Sequence, residues 1–392
     1  DATLKKKEKS KPKEMTPLEL MASFVAPPIL RRYNDDPTKP DGPQERRHNG
    51  AVLFLDISGF TKMTEALAEK GAEGTEQITR ILNHHFDTLV GIVESFSGEV
   101  VKYAGDAFAA IWICPIAGKD IRQVVHRAST CALKMQQARK SLEKKHKTEL
   151  QFKIGIGCGA LKLTHVGGVN DKWDLLVKGA ALEQAVFAEG CAVPGDSVVS
   201  HKAWECIATV ASGKEHASGN YYLKGLKKVA KARPVKERLI KPEAEAAIRL
   251  YVPTSVSSRI DVGQGAYIGE LRQATIMFCN LPDIRSRASV DKDQQIIEQV
   301  QKVIFKYEGA INKLSIDDKG VSVLAVWGLP PLVHEDDPER AIRAALGIQE
   351  VFGPKKVRCS IGVTTGQAFS GAIGGETRKE YTVIGDVVNL SA

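Results

Sequence analysis

One pattern of apolar runs and helical stretches occurs twice in this 392-residue chain, and that recurrence limits the possible folds more than any other feature. The first copy opens with Ala51-Val52-Leu53-Phe54-Leu55-Asp56, five apolar residues running into a carboxylate. A short unbroken run of this kind suits a strand buried on both faces. Ile78, Ile81, Leu82, Phe86, Leu89, Val90, Val93 and Phe96 then recur at the spacing of one helical face. Residues 99–103 and 107–113 read as two strands folded back around Ala104-Gly105-Asp106. A second helix is expected over 121–144, followed by strands at 152–157, 161–166 and 175–178 and a further helix. The order βαββαβ predicts an α+β fold of the ferredoxin-like kind, with helices on one face of an antiparallel sheet.

The second copy repeats this order. Thr275-Ile276-Met277-Phe278-Cys279-Asn280 stands for the first strand, with Asn280 where Asp56 stood. Residues 294–311 stand for the long helix, 313–320 and 321–327 for the hairpin (Trp327 matching Trp112), 357–362 and 381–385 for the later strands. The chain therefore divides into a basic, Pro-rich lead-in (1–48), a first domain (49–240), a charged, Ala/Pro-punctuated linker (241–268) and a second domain (269–392). The polar residues of the copies differ in a complementary way. The first holds Asp56 and Asp106, where the second has Asn280 and Val321. The second holds Lys313, Thr382 and Asn389, where the first has Lys102, Asp174 or a neighbour, and Glu183. This predicts a pseudo-symmetric pair sharing one working site.

The residue types suggest its chemistry. Asp56 ends a buried strand and Asp106 sits in a Gly-Asp turn, so two hard oxygen ligands stand on neighbouring turns, as a pair of Mg²⁺ ions on a triphosphate requires. Gly59 allows a sharp turn into a helix opening at Thr61, whose free N–H groups can face an anion. His84 and His85 are adjacent on a helix and cannot both face one metal, and Asp317-Asp318 reads as a solvated hairpin tip.

Composition excludes several classes. A hydrophobic content of 43% with 26% charged residues is that of a soluble globular protein. Much of the net charge of +8 lies in tails and linkers such as Lys5-Lys6-Lys7-Glu8-Lys9, and no aromatic-interleaved basic groove points to nucleic acid. The seven cysteines lack C-x-x-C spacing and read as reduced core residues. No apolar stretch reaches the length of a membrane span and no signal peptide precedes the fold, so a cytoplasmic protein is expected.

Leu55-Asp56-Ile57-Ser58-Gly59-Phe60-Thr61, Lys102-Tyr103-Ala104-Gly105-Asp106-Ala107, Ile311-Asn312-Lys313 and Glu380-Tyr381-Thr382-Val383-Ile384-Gly385-Asp386-Val387-Val388-Asn389-Leu390 resemble the motifs of class III nucleotidyl cyclases. The tandem arrangement is most similar to the soluble, bicarbonate-responsive adenylyl cyclases. The resemblance covers nearly everything from 50 to 392. It implies conversion of ATP to cyclic AMP and pyrophosphate where the two domains pair within the chain, with two Mg²⁺ or Mn²⁺ ions as cofactors. It implies that Asp56, Asp106 and the Ile57 carbonyl hold the ions, and that the N–H groups of Ser58, Gly59, Phe60 and Thr61 cradle phosphates. Lys313 would donate to adenine N1, Thr382 would take the exocyclic amine, Val383 would line the base pocket, and Asn389 would orient the ribose as the catalytic residue. Lys102 and Val177 fall where that group forms an anion-responsive regulatory site. Its Arg is replaced by Val186 here, which leaves bicarbonate activation open. The chain stops one residue short of the Arg in the family's Asn-x-x-x-Arg, and so reads as an impaired fragment of a longer protein. A cytoplasmic setting, with a cilium or flagellum as the finer placement, and a larger assembly through the basic tail or a missing C-terminal region complete what the resemblance implies. A cyclase-fold scaffold without turnover and a guanylyl cyclase stand as alternatives.

Overall fold

A computed structural model describes residues 15–59, 63–64, 66–67, 71–115, 120–146, 150–235, 239–264, 269–284, 288–317 and 320–392. Phe60, Thr61, the basic run at 5–13 and Asp318 lie outside the described residues.

The first sheet is built from β1 (Gln44–Ser58), β2 (Glu99–Ala104), β3 (Ala107–Ile113), β4 (Gln151–Gly167) and β5 (Trp173–Lys178), in the order β2-β3-β1-β4 with β5 also on β4. Three short strands, β6 (Ser197–Val199), β7 (Ala211–Glu215) and β8 (Tyr221–Leu226), extend it through β4. The second sheet repeats the core of this order as β10-β11-β9-β12-β13, from β9 (Gly269–Leu281), β10 (Ala310–Asp317), β11 (Gly320–Trp327), β12 (Ser360–Gly374) and β13 (Lys379–Ile384). The repeat read from the sequence is thus a repeat of topology. Its matched tryptophans confirm the register: the Trp112 indole donates to the Phe96 carbonyl at 3.0 Å, and Trp327 to Tyr307 at 2.8 Å.

Strand alternation explains the layering. In β1, Ala51, Leu53, Leu55 and Ile57 face a core shared with Phe86, Leu89 and Val93 of the long helix and with Val125, Ala128 and Met135 of the next. Val52 faces the other way, into a second core. The helices, numbered along the chain, are α1 (Pro17–Ser23), α2 (Pro27–Asp35), α3 (Gly71–Ser95), α4 (Ile121–His146), α5 (Ala180–Gly190), α6 (His201–Ile207), α7 (Glu245–Ile248), α8 (Thr254–Asp261), α9 (Val290–Lys306), α10 (Asp337–Phe352) and α11 (Asp386–Ser391). α9 and α10 cover one face of the second sheet through Ile297, Val300, Ile304, Ala344 and Ile348.

Four expectations need correction. The strands expected at 152–157 and 161–166 are one strand, β4, because the intervening Cys158-Gly159-Ala160 continues the ladder with β1. The helix expected over 294–311 ends at Lys306, and β10 begins at Ala310. Helices do not lie on one face only. The lead-in and linker fold into α1, α2, α7 and α8, and their Phe24, Ile29, Tyr33, Ile248, Val252 and Val256 fill the second core against both halves. Finally, Gly179 and Gly385 both precede a helix at positive φ, which puts Leu176, not Asp174, opposite Thr382, and pairs Asp174 with Glu380.

Close approach of helix to sheet depends on glycine. A Cβ on Gly157 would stand 2.2 Å from the Ala181 carbonyl of α5 and one on Gly155 would stand 1.9 Å from the Ala185 carbonyl, while one on Gly362, the counterpart of Gly155, would stand 2.1 Å from the Ser391 carbonyl of α11. The two halves meet through matching contacts as well. Gln294 of α9 donates to the Gly167 carbonyl at 2.6 Å and Gln301 to the Lys172 carbonyl at 3.0 Å. On the other side Asp87 of α3 accepts from the Glu376 N–H at 3.0 Å, and Glu94 from the Thr377 hydroxyl at 2.7 Å. Lys178 of β5 and Asp293 of α9 form an ion pair with both side chains wholly buried.

Candidate active site

The carboxylate side of the site follows from strand register. The last rung between β1 and β3 pairs Leu55 with Phe108. Asp56 therefore leaves the ladder beside the turn in which Gly105, at φ 67°, presents Asp106. Burial pushes the Asp106 carboxyl up to about 7, with repulsion from Asp56 adding to it. Burial also raises Asp56, opposed by Lys153, its cross-strand neighbour on β4. Two desolvated, mutually repelling carboxylates are poorly served by the protein alone and well served by a divalent cation. Among the described residues no group of three or more His, Cys, Asp or Glu side chains could hold a metal ion. The oxygens that could serve a hard cation here are those of these two acids and the Ile57 carbonyl.

Ser58, the last residue of β1, and Gly59, at φ 90°, turn the chain away from the sheet.

The second half supplies a different chemistry. β10 carries an irregularity between Ile311 and Lys313, and β2 carries the same one between Val100 and Lys102. An extra residue, Asn312 or Val101, re-aims the lysine after it. Lys313 is 4% exposed and its ammonium donates to the Thr382 hydroxyl at 3.2 Å. Burial pushes Lys313 down to about 8, while the nearby Glu380 and Asp106 carboxylates favour its charge. At neutral pH it remains chiefly an ammonium donor. Asp106 of the first half and Lys313 of the second are near enough for each to favour the other's charged form.

Strand alternation corrects one expected role. Thr382 faces Lys313, so Val383 points to the opposite side of β13 and is 2% exposed in the second core, beside Tyr381 and Val387. Its main chain, not its side chain, is what it can offer a base. Asn389 is exposed on α11, the helix that follows β13. In the second half, Asn280 donates to the Ser322 hydroxyl at 3.3 Å, a neutral pair where the first half has Asp56.

Lys102 holds Asp174 at 3.0 Å and shares with Val177 the lining of a recess of about 30 Å³. Val186 is not among the residues that line this recess and packs at the edge of the second core. His85 is buried, its Nδ1 at 2.8 Å from the Ile81 carbonyl, a packing role. All seven cysteines are free.

Several participants escaped the sequence reading. Glu380 is 9% exposed and accepts from Arg378 at 2.9 Å. The Arg378 guanidinium lies 5.4 Å from the Tyr103 ring centre, and Tyr103 donates to the Arg378 carbonyl at 3.0 Å, so the first half braces the second. Glu189, ion-paired with Lys153 at 2.5 Å, adds negative charge next to Asp56.

Residues 43–234 match the adenylate and guanylate cyclase catalytic domain. The chain is 29% identical over 398 residues to human (Homo sapiens) adenylate cyclase type 10, covering 90% of this chain and 24% of that protein. It is 30% identical over 413 residues to adenylate cyclase type 10 of Oryctolagus cuniculus, covering 93% of this chain and 24% of that protein. The chain thus spans about a quarter of the length of the curated relatives it matches. Its fold is that of a class III adenylyl cyclase-like ATP-binding protein from Pseudomonas aeruginosa, with a TM-score of 0.58 at 13% identity, over 95% of this chain and 88% of that one.

Proposed function

We propose that this chain, which belongs to the class III nucleotidyl cyclases, converts ATP to 3′,5′-cyclic AMP and pyrophosphate in the cleft between its two halves. What supports the reading is a half-buried carboxylate pair, Asp56 and Asp106, at the end of the first half's central strands, with the buried Lys313 ammonium on Thr382 at 3.2 Å in the second half and Asp106 near enough to favour its charge.

Asp56, Asp106 and the Ile57 carbonyl would hold two Mg²⁺ or Mn²⁺ ions. Such ions, when bound, offset charge on the triphosphate and favour the 3′-hydroxyl as its alkoxide. The chain's own work is positioning. The N–H groups after Asp56, at Ser58 and Gly59, face the β- and γ-phosphates. Lys313 donates to adenine N1 and Thr382 accepts from the exocyclic amine, while Asn389 orients the ribose. The 3′-oxygen then attacks the α-phosphorus in line, and the bond to the pyrophosphate oxygen breaks. Base choice follows from proton inventory, because guanine N1 carries a hydrogen and meets the Lys313 ammonium donor to donor.

The test is turnover by the purified protein with ATP or GTP and Mn²⁺. ATP preference is expected, and Lys313→Glu should lower the ATP-to-GTP ratio at least tenfold. Equal ratios in the two proteins would place base reading elsewhere, and GTP preference in the unaltered protein would make it a guanylyl cyclase.

A further inference from the structure

Away from the carboxylate pair, the lead-in, the linker and both halves line a half-open cavity of about 240 Å³. Protein interiors leave few voids of this size unfilled. Its wall is mixed: Phe24 of the segment between α1 and α2, Trp173 of β5, Val252 of the linker and Phe305 of α9 give it an apolar, partly aromatic side, beside polar and charged groups.

The charges on the wall sort themselves. Lys102 is neutralised by Asp174 at 3.0 Å, and Arg378 by Glu380 at 2.9 Å. Glu308 is held by Arg340 and by His334. Lys172 is left over. It makes no ion pair among the described residues, and its ammonium reaches only the Val252 carbonyl, at 3.4 Å. Burial pushes that ammonium down, as expected of a charge short of a counter-ion. A lysine ammonium without an ion-pair partner, with only the nearby Asp171 favouring its charge, beside the apolar and aromatic side of this pocket suits a compact molecule with an apolar body and one carboxylate.

We propose that this cavity binds a small aromatic or branched monocarboxylate, its carboxylate on Lys172 and its body between Phe24, Trp173 and Val252. The site is separate from the nucleotide cleft but adjoins it. Asn312 and Tyr381 line the cavity, and each is the chain neighbour of a cleft residue, Lys313 or Thr382.

The test measures binding and needs no turnover, so it stands apart from the cyclase reading. Benzoate and its uncharged isostere benzamide are titrated into the protein, followed by saturation-transfer NMR and calorimetry. Benzoate should bind with a Kd on the order of 1 mM or tighter, and benzamide at least roughly tenfold more weakly. Lys172→Met should remove that preference, and Lys172→Arg should keep it. Thermal melts verify that both variants fold. Equal binding of the two probes, absent benzoate binding, or benzoate binding unchanged in Lys172→Met would each overturn the proposal.

Discussion

Replacing Lys313 by methionine should make the protein more stable at neutral pH and a poorer enzyme. The side chain is buried, and burial lowers its ammonium from the ordinary 10.5 to about 8. Holding the charge there costs roughly 3 kcal/mol at pH 7, at about 1.4 kcal/mol per pH unit. The unfolded chain keeps its proton up to about 10.5 and the folded chain only to about 8. Between these values the unfolded state binds more protons, so the unaltered protein gains stability as pH rises. Methionine removes that cost but leaves the Thr382 hydroxyl without its donor, a loss of about 1–2 kcal/mol. The net at pH 7 is a gain of about 1–2 kcal/mol, turning to a loss of about 1 kcal/mol near pH 10. Paired urea denaturations of the two proteins at both pH values measure the difference. kcat/KM for ATP should fall on the order of 10- to 100-fold. A variant less stable at pH 7, or one whose advantage ignores pH, would show that Lys313 is not a strained charge.

Asp106, raised to about 7, destabilises the ion-free protein as pH climbs from about 4 to 7, because the folded state then binds more protons than the unfolded one. Asp106→Asn should therefore melt higher than the unaltered protein at pH 8 without divalent ions, lack the stabilisation by Mn²⁺ expected of the unaltered protein, and lose turnover; thermal melts with and without Mn²⁺ check this. Asp293→Ala strands the buried Lys178 ammonium and should cost about 3–5 kcal/mol, whereas Lys178→Met with Asp293→Leu should recover most of it in chemical denaturation. Gly157→Ala would drive a methyl into the Ala181 carbonyl and should destabilise by roughly 1–3 kcal/mol or more, read as a lowered melting temperature.

What could be read from the chain was whatever repeats locally. The run from Ala51 to Asp56, the helical face from Ile78 to Phe96, and Trp112 with Trp327 each carry their signal within a few residues of sequence. The lead-in and linker did not announce their packing. Their helices are mostly under ten residues, too short for periodicity to separate core from surface, and only the second core shows which side of each is apolar. The Lys102–Asp174 pair joins residues far apart in sequence, so the true counterpart of Asp174, Glu380, emerged only from strand register. Val383 was misassigned because a motif names residues in order, whereas a strand sends neighbours to opposite faces.

The threading of lead-in and linker through the second core has a consequence for how such a cleft can diverge. A site assembled from two separate identical chains must keep both versions of every surface compatible with itself, and it falls apart on dilution. Here the partner is tethered, present at an effective concentration on the order of millimolar whatever the abundance of the protein. The halves can thereby differ, with Asn280 where the other has Asp56 and Leu176 where the other has Thr382, each difference felt on one side only.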